Sequence, residues 1–190
     1  MAMDNLAYQE DWTEERIGGR FVAMSPASTN HNRISGNIYR IFANFLHRKT
    51  CVPFGDGEKV FLTGTDHYVP DFMVICDRDK IKPDGVHGTP DLVVEILSPS
   101  TGVNDRSRKK SVYEESGVSE YWIVSPKEKS IEVYLLSEGR YTLDNTYFYH
   151  SAEDMPYLTD DEKAALVTEF KCHLYDDLLI PLDDIFGDLF

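Results

Sequence analysis

Apolar residues between positions 29 and 49 return every three or four places, at Ile34, Ile38, Ile41, Phe42, Phe45 and Leu46, which is the spacing of one helical face. Ser28 or Thr29 can cap the start of this helix, and the pattern ends near Lys49. At about 100° per residue, His31 falls inside the apolar stripe one turn before Ile34 and points inward. Both a core or capping histidine and a site residue fit that position. Upstream, residues 13–24 form two short runs around Gly18-Gly19, the pattern of a hairpin. Ser25-Pro26 ends it.

The middle of the chain switches to strand-like runs. Cys51 to Phe61 alternates loosely with a turn at Gly55-Asp56-Gly57, and Gly64-Thr65-Asp66 makes another turn. Tyr68 to Cys76 is a strong apolar strand containing Asp71, and Pro70 places its hydrogen-bonded part at or after that residue. Residues 77–89 read as a polar loop. Asp91 to Leu97 is then a β-branched run closed by Ser98-Pro99, with Val93, Glu95 and Leu97 on one face and Leu92, Val94 and Ile96 on the other. Both faces carry apolar side chains, so Glu95 lies in a buried strand and requires a cation, a hydrogen-bonding partner or a metal.

A charged helix capped near Asn104 or Asp105 and stopped by Gly117 follows. On its wheel Lys109 sits at the centre of the sector holding Val112, Tyr113 and Ser116, whereas Lys110 lies about 100° away toward the polar side. Lys109 therefore faces the sheet. Tyr121–Val124, Ser130–Leu136 and the aromatic run Tyr141–Tyr149 complete the strands, and a short helix over Asp160–Phe170 precedes the end of the chain.

Composition narrows this picture. The 190 residues, 42% hydrophobic and 12% aromatic, fit a single domain (1–190) with a sizeable core. No apolar leader or membrane-length run is present, so a cytoplasmic protein is expected. Cys51, Cys76 and Cys172 are odd in number and widely spaced, which points to no disulfide framework and no zinc site and fits a reducing compartment. The net charge of −14 opposes nucleic-acid binding on its face. It is uneven, however: residues 151–190 hold 11 acids and 2 lysines, leaving 22 acids and 17 bases in the first 150. The densest basic cluster, Arg106, Arg108, Lys109 and Lys110, follows closely on Glu95. Distribution matters more than the sum.

Asp71 and Glu95 are acids embedded in apolar strands. If those strands are neighbours, about 5 Å apart, both carboxylates can reach one hard cation. Asp91 cannot share it, because four residues along a strand span roughly 13 Å. Two carboxylates with an inward lysine make a set that can act on phosphate: the cation polarises the phosphate and lowers the pKa of a water, and the lysine orients the nucleophile or stabilises developing charge.

The strings Met24-Ser25-Pro26, His31-Asn32-Arg33-Ile34-Ser35, Val69-Pro70-Asp71, Pro90 to Thr101, Asp105, Lys109, Tyr113 and Gly117-Val118-Ser119-Glu120-Tyr121-Trp122-Ile123-Val124 together resemble the Uma2 family, restriction-endonuclease-like proteins of the PD-(D/E)XK nuclease superfamily. The resemblance runs from about residue 12 to 190. It implies a mixed α/β (α+β) fold with a central mixed sheet flanked by helices. It also implies Asp71 and Glu95 as ligands of Mg²⁺ (or Mn²⁺), DNA phosphodiesters as substrate and, by analogy, a homodimer. One position departs: where the superfamily has a lysine two residues after the glutamate, this chain has Leu97. Related proteins supply the lysine from the next helix, and the wheel independently selects Lys109. A lysine anchored to the acidic C-terminal segment is the competing reading.

The resulting expectation is a metal-dependent endonuclease with Asp71 and Glu95 on the metal, Lys109 stabilising charge and His31 positioning a water or ligand. Two alternatives stand beside it: a noncatalytic binding protein on a nuclease fold, and hydrolysis of a smaller phosphoester. Tyr113, Tyr121 and Trp122 fit a core better than base-stacking platforms. Arg106, Arg108 and Lys110 fit phosphate contacts or a solvated helix face. The acidic tail reads as solvated surface, or as a screen over the active face.

Overall fold

A computed structural model describes residues 14–23, 27–64, 66–98 and 108–190. In chain order these form β1 (Glu14–Ile17), β2 (Arg20–Ala23), α1 (Thr29–Phe45), β3 (Val52–Gly55), β4 (Val60–Thr63), β5 (Asp66–Tyr68), β6 (Phe72–Ile75), β7 (Ile81–Lys82), β8 (Gly85–His87) and β9 (Leu92–Ile96). They continue as α2 (Lys110–Ser116), β10 (Glu120–Ser125), β11 (Ser130–Ser137), β12 (Arg140–Phe148), α3 (Asp160–Ala164), β13 (Glu169–Lys171), β14 (Leu179–Pro181) and α4 (Leu182–Phe186). The expected hairpin stop at Ser25-Pro26, the Pro99-Ser100-Thr101 string, the Asn104 or Asp105 cap and Arg106 lie outside the described residues.

The main sheet has six strands in the order β12-β11-β10-β9-β6-β3. It is mixed, because β9 and β10 run parallel while their neighbours are antiparallel. Alternation sorts its side chains. Phe72, Val74, Leu92, Val94, Ile96, Trp122 and Val124 pack on one face against Ile34, Ile38 and Phe42 of α1. Met73, Ile75, Val93, Tyr121 and Ile123 face the other way, toward Ile17, Val60, Val86 and Tyr113. Ser28 caps α1 by accepting from the His31 amide at 3.2 Å. Gly117, at φ 84°, closes α2 in the left-handed conformation that favours glycine.

The helix-flanked mixed sheet is as expected, but a second six-stranded sheet, β2-β1-β5-β4-β8-β7, covers the face opposite α1. This changes three local assignments. The apolar run Tyr68–Cys76 is two strands: Pro70 cannot donate to a ladder, so β5 ends before it in the second sheet and β6 begins after it in the main one. The turn at Asp56-Gly57 likewise passes the chain from β3 in the main sheet to β4 in the second. The expected polar loop 77–89 contains the short antiparallel pair β7–β8.

The acidic tail is not mere solvated surface. Its charges face outward, but Phe170, Cys172, Leu178, Ile180, Leu182, Ile185 and Phe186 are buried against the α1 side of the main sheet, with Phe170 edge-on to Trp122 at 5.1 Å. Each such apolar side chain contributes about 1.5–3 kcal/mol on burial. The helix expected over 160–170 is shorter, Asp160–Ala164, held by a capping box between Thr159 and Glu162. Glu120 anchors the tail. Its buried carboxylate accepts from Trp122 Nε1 (2.7 Å), Leu174 N (2.8 Å), His173 N (3.2 Å) and Cys172 Sγ (3.6 Å).

The cysteines also need correction. The pairing Val52↔Ile75 sets Cys51 opposite Cys76, with Cα atoms 3.9 Å apart, and a disulfide joins them. The 25-residue separation concealed a cross-strand pair. Cys172 is free and buried.

Candidate functional site

Register brings the two expected acids together. β6 and β9 pair Phe72 with Val94 and Met73 with Val93, so one step further Asp71 stands across from Glu95. Opposed residues of neighbouring strands share a face. That face is the one turned away from the α1 core, toward α2 and the hairpin. Both acids are buried, at 5% and 2% exposure.

His31 reaches this pair from the first turn of α1: its Nε2 is 3.1 Å from Asp71 Oδ1. The other Asp71 oxygen accepts the Ile96 amide at 2.5 Å, and Ser35 Oγ donates to the Asp71 carbonyl. Asp71 is therefore held from two sides, by α1 through His31 and Ser35 and by β9 through the Ile96 amide. Lys109, 3% exposed, places Nζ 3.1 and 3.2 Å from the two oxygens of Glu95. Tyr113, one turn along α2, donates its hydroxyl to Glu95 at 2.7 Å. Burial, then the Glu95 and Glu15 charges, push the Tyr113 phenol well above its ordinary range, so it stays a donor. Among the described residues Lys109 pairs with Glu95 and Glu15, carboxylates of the two sheets.

Three groups at this locus were not singled out for chemistry in the sequence. Glu15 of β1 is 4% exposed; its Oε1 lies 2.9 Å from Lys109 Nζ and accepts the Val69 amide at 2.9 Å. Its signal was alternation: Glu15 and Ile17 are the inward residues of a four-residue strand whose other two are only half-buried. Tyr113 reads as core from the wheel and is core, but its hydroxyl is also a Glu95 ligand. Asp56, exposed in the turn after β3, is crowded enough that partial desolvation, then the Asp71 charge, raise its carboxyl. Of the basic residues, Arg108 is exposed and lies over Gly18 of the hairpin turn, and Lys110 sits 3.4 Å from the Tyr134 ring centroid in a cation–π contact. Tyr121 and Trp122 are fully buried, Tyr121 stacked on Tyr141 and Trp122 bonded to Glu120. They are not surface platforms.

Among the described residues, the buried set Glu15, Asp71 and Glu95 with Lys109 holds three carboxylates against one ammonium. His31 adds a positive charge only when protonated. An excess of buried negative charge is costly unless compensated. Among the described residues no three His, Cys, Asp or Glu side chains form a ready-made metal cage. Mg²⁺ does not need one: it is commonly held by one or two carboxylates, with waters and substrate phosphate completing its shell. Asp71 and Glu95 are the residues that could hold such an ion, since carboxylate oxygens are the hard donors that suit Mg²⁺ or Mn²⁺. No helix among the described residues is long and apolar enough to cross a membrane.

Comparison with other proteins agrees with this architecture. A solved structure described as a "putative nuclease belonging to DUF820" from Anabaena variabilis superposes with a TM-score of 0.67 over 92% of this chain and 89% of that one, at 18% identity. The likeness at that identity is one of fold. Two uncharacterized proteins of Synechocystis sp. (strain ATCC 27184 / PCC 6803 / Kazusa) are similar in sequence: slr1290, 34% identical over 122 residues, and sll1609, 28% identical over 117. The matches take in 63% and 59% of this chain and 64% and 66% of those proteins, so the chain spans just under two thirds of their length. The family profile described as "Uma2: Putative restriction endonuclease" matches residues 3–163. With most of its length under that profile, and the register that opposes Asp71 and Glu95 lying inside it, the chain belongs to the Uma2 family.

Proposed function

We propose that the protein is a divalent-metal-dependent endonuclease that hydrolyses DNA phosphodiester bonds. One observation carries the reading: two buried carboxylates, Asp71 and Glu95, stand opposite each other on adjacent strands, and a buried lysine from the next helix bonds one of them. Asp71 and Glu95 are the residues that would hold Mg²⁺ or Mn²⁺; the bound ion supplies charge neutralisation at phosphate and a water of lowered pKa.

The chain's own residues do the rest. Lys109, buried beside Glu95, offers an ammonium where negative charge grows on the phosphoryl oxygens, and its burial strengthens that interaction relative to water. Leu97 leaves the usual lysine position apolar, and Lys109 takes over its charge from α2. His31 holds the Asp71 carboxylate in place through Nε2. The family's description as a restriction endonuclease supports DNA as substrate. The exposed Arg20 and Arg108 at the hairpin turn provide local positive charge despite the overall acidity.

The test is cleavage of supercoiled plasmid at physiological salt with Mg²⁺ or Mn²⁺. The wild type should nick or linearise the plasmid, and Glu95→Ala should reduce the rate by about a hundred-fold or more. Absence of any metal-dependent DNA cleavage that Glu95→Ala abolishes refutes the proposal. Turnover of only a small phosphoester under the same conditions would replace the substrate and keep the site.

A further inference from the structure

Glu15 is a buried acid to which the proposed chemistry assigns no task. It comes from the N-terminal hairpin, far in sequence from Asp71 and Glu95, and alternation in β1 turns it inward beside Ile17. The hairpin itself is pinned: Gly18 and Gly19, at φ 60° and 75°, both donate their amides to the Asp66 carboxylate. Glu15 Oε1 in turn accepts the Val69 amide, two residues before Asp71. Its carboxylate is therefore a fixed point. Lys109 Nζ lies 2.9 Å from that point and 3.1 Å from Glu95 Oε2, so one ammonium is shared by an acid of the hairpin and an acid of the main sheet.

Sharing becomes unfavourable once Glu95 is committed to a divalent cation, because an ammonium held at the same oxygens repels the ion and competes for the carboxylate. We propose that Glu15 is the positioning residue that retains Lys109 in the site under those conditions: the ammonium leans onto Glu15 and stays beside the reacting phosphate without contesting Glu95. This rests on the metal-site reading given above. It assigns Glu15 to the handling of Lys109, and not to the metal.

A double-mutant cycle in Mn²⁺ affinity separates these roles. Glu15→Gln keeps the shape of the side chain and an oxygen for the Val69 amide and removes only the charge. Calorimetric Mn²⁺ titrations on the full chain compare the wild type, Glu15→Gln, Lys109→Met and the double variant, with circular dichroism melts confirming that each is folded. Glu15→Gln should weaken Mn²⁺ binding about ten-fold, because Lys109 then falls wholly on Glu95. In the Lys109→Met background the same change should weaken it at least about five-fold less, the coupling expected of groups in direct contact.

Equal losses in the two backgrounds overturn the inference, since a carboxylate acting through its field or as a direct ligand does not need Lys109. An unchanged affinity in Glu15→Gln overturns it as well. If the wild type binds no Mn²⁺, the metal-site reading fails and the inference fails with it, an outcome visible before any Glu15 variant is compared. Should Glu15→Gln not fold, Glu15→Asp withdraws the carboxylate from Lys109 by one methylene while keeping its charge, and the same inequality between backgrounds applies.

Discussion

A divalent cation should stabilise this protein against heat, and the two opposed acids should account for the effect. Asp71 and Glu95 face each other across β6 and β9, a placement that sets carboxylates about 5 Å apart. At an effective dielectric constant of about 20, two unit charges at that distance repel by about 3 kcal/mol. Lys109 offsets part of this, but Glu15 adds a third buried acid to the same locus. Binding a cation to the folded state alone stabilises it by about 2.7 kcal/mol at a hundred times the dissociation constant. For a chain of 190 residues each kcal/mol raises the melting temperature by about 2–4 °C, so saturating Mn²⁺ should raise it by about 5–11 °C. Differential scanning calorimetry with and without Mn²⁺ measures this directly. Asp71→Asn and Glu95→Gln should each lose most of the shift while remaining folded. A wild type that melts at the same temperature with and without Mn²⁺ refutes the argument that the excess charge marks a cation site, and an undiminished shift in both variants places the ion elsewhere.

Other consequences concern the frame around the site. Glu120→Ala strips the acceptor from Trp122, His173 and Leu174 and should cost about 3–5 kcal/mol in urea denaturation, the range for breaking a buried charged hydrogen-bond set. It should leave the Mn²⁺ shift intact, because Glu120 points to the α1 side of the sheet, away from Glu95. Reduction of Cys51–Cys76, whose 25-residue separation corresponds to about 3.5 kcal/mol in the chain-entropy picture, should lower the melting temperature of the wild type and leave a Cys51→Ser, Cys76→Ser variant unchanged. Equal response of both proteins to reductant would show that the disulfide does not carry that stability. The Gly19 amide above all, and the Gly18 amide and Arg16 and Arg108 cations behind it, hold Asp66 below the usual carboxylate range. A depressed folded-state value means that its contribution is complete above the unfolded value, about 3.9, and is lost as pH falls through the folded value. The Gly18 and Gly19 amides should therefore lose hydrogen-exchange protection below about pH 4 and not between pH 5 and 7.

The parts of the fold that were legible in the sequence are those set by local period. The α1 stripe, the Gly117 stop and the inward turn of Lys109 follow from helical spacing and end chemistry and appear in the structure as read, while Ser28 is the one of the two cap candidates that acts and α1 ends at Phe45, short of Lys49. The two faces of β9 follow from alternation in the same way. What was not legible is partnership. The strands β4, β5, β7 and β8 run only two to four residues, too short for a period to register, so the second sheet was invisible and Pro70 marked a strand's start without showing that the chain changes sheets there. The disulfide is hidden for a similar reason, since only the β3–β6 register makes neighbours of Cys51 and Cys76. In the tail, net charge gave the wrong emphasis: acids are dense between Ser151 and Phe190, but burial is decided by where the apolar residues fall, and Phe170, Ile180, Ile185 and Phe186 fall inward.

Glu15 carries the same pattern signal as Glu95 in a shorter strand. Glu95 draws attention because it alternates with Val93 in a run apolar on both faces, which forces a buried acid to find a partner. Glu15 obeys the same rule on a smaller scale. It alternates with Ile17, the buried aliphatic residue of β1, and so shares its inward face. The difference is length, since four residues of strand carry less weight in a pattern than the Asp91–Leu97 run. Its partner could not be read at all, because Lys109 lies 94 positions away and meets it only when the hairpin packs beside the start of α2. An acid in phase with a buried aliphatic residue thus identifies a charge that needs compensation, while the identity of the compensating group follows from topology. For Asp71 and Glu95 the topology is one antiparallel register. For Glu15 it is the packing of the second sheet on the first, and that packing places a third carboxylate on the lysine that serves the second.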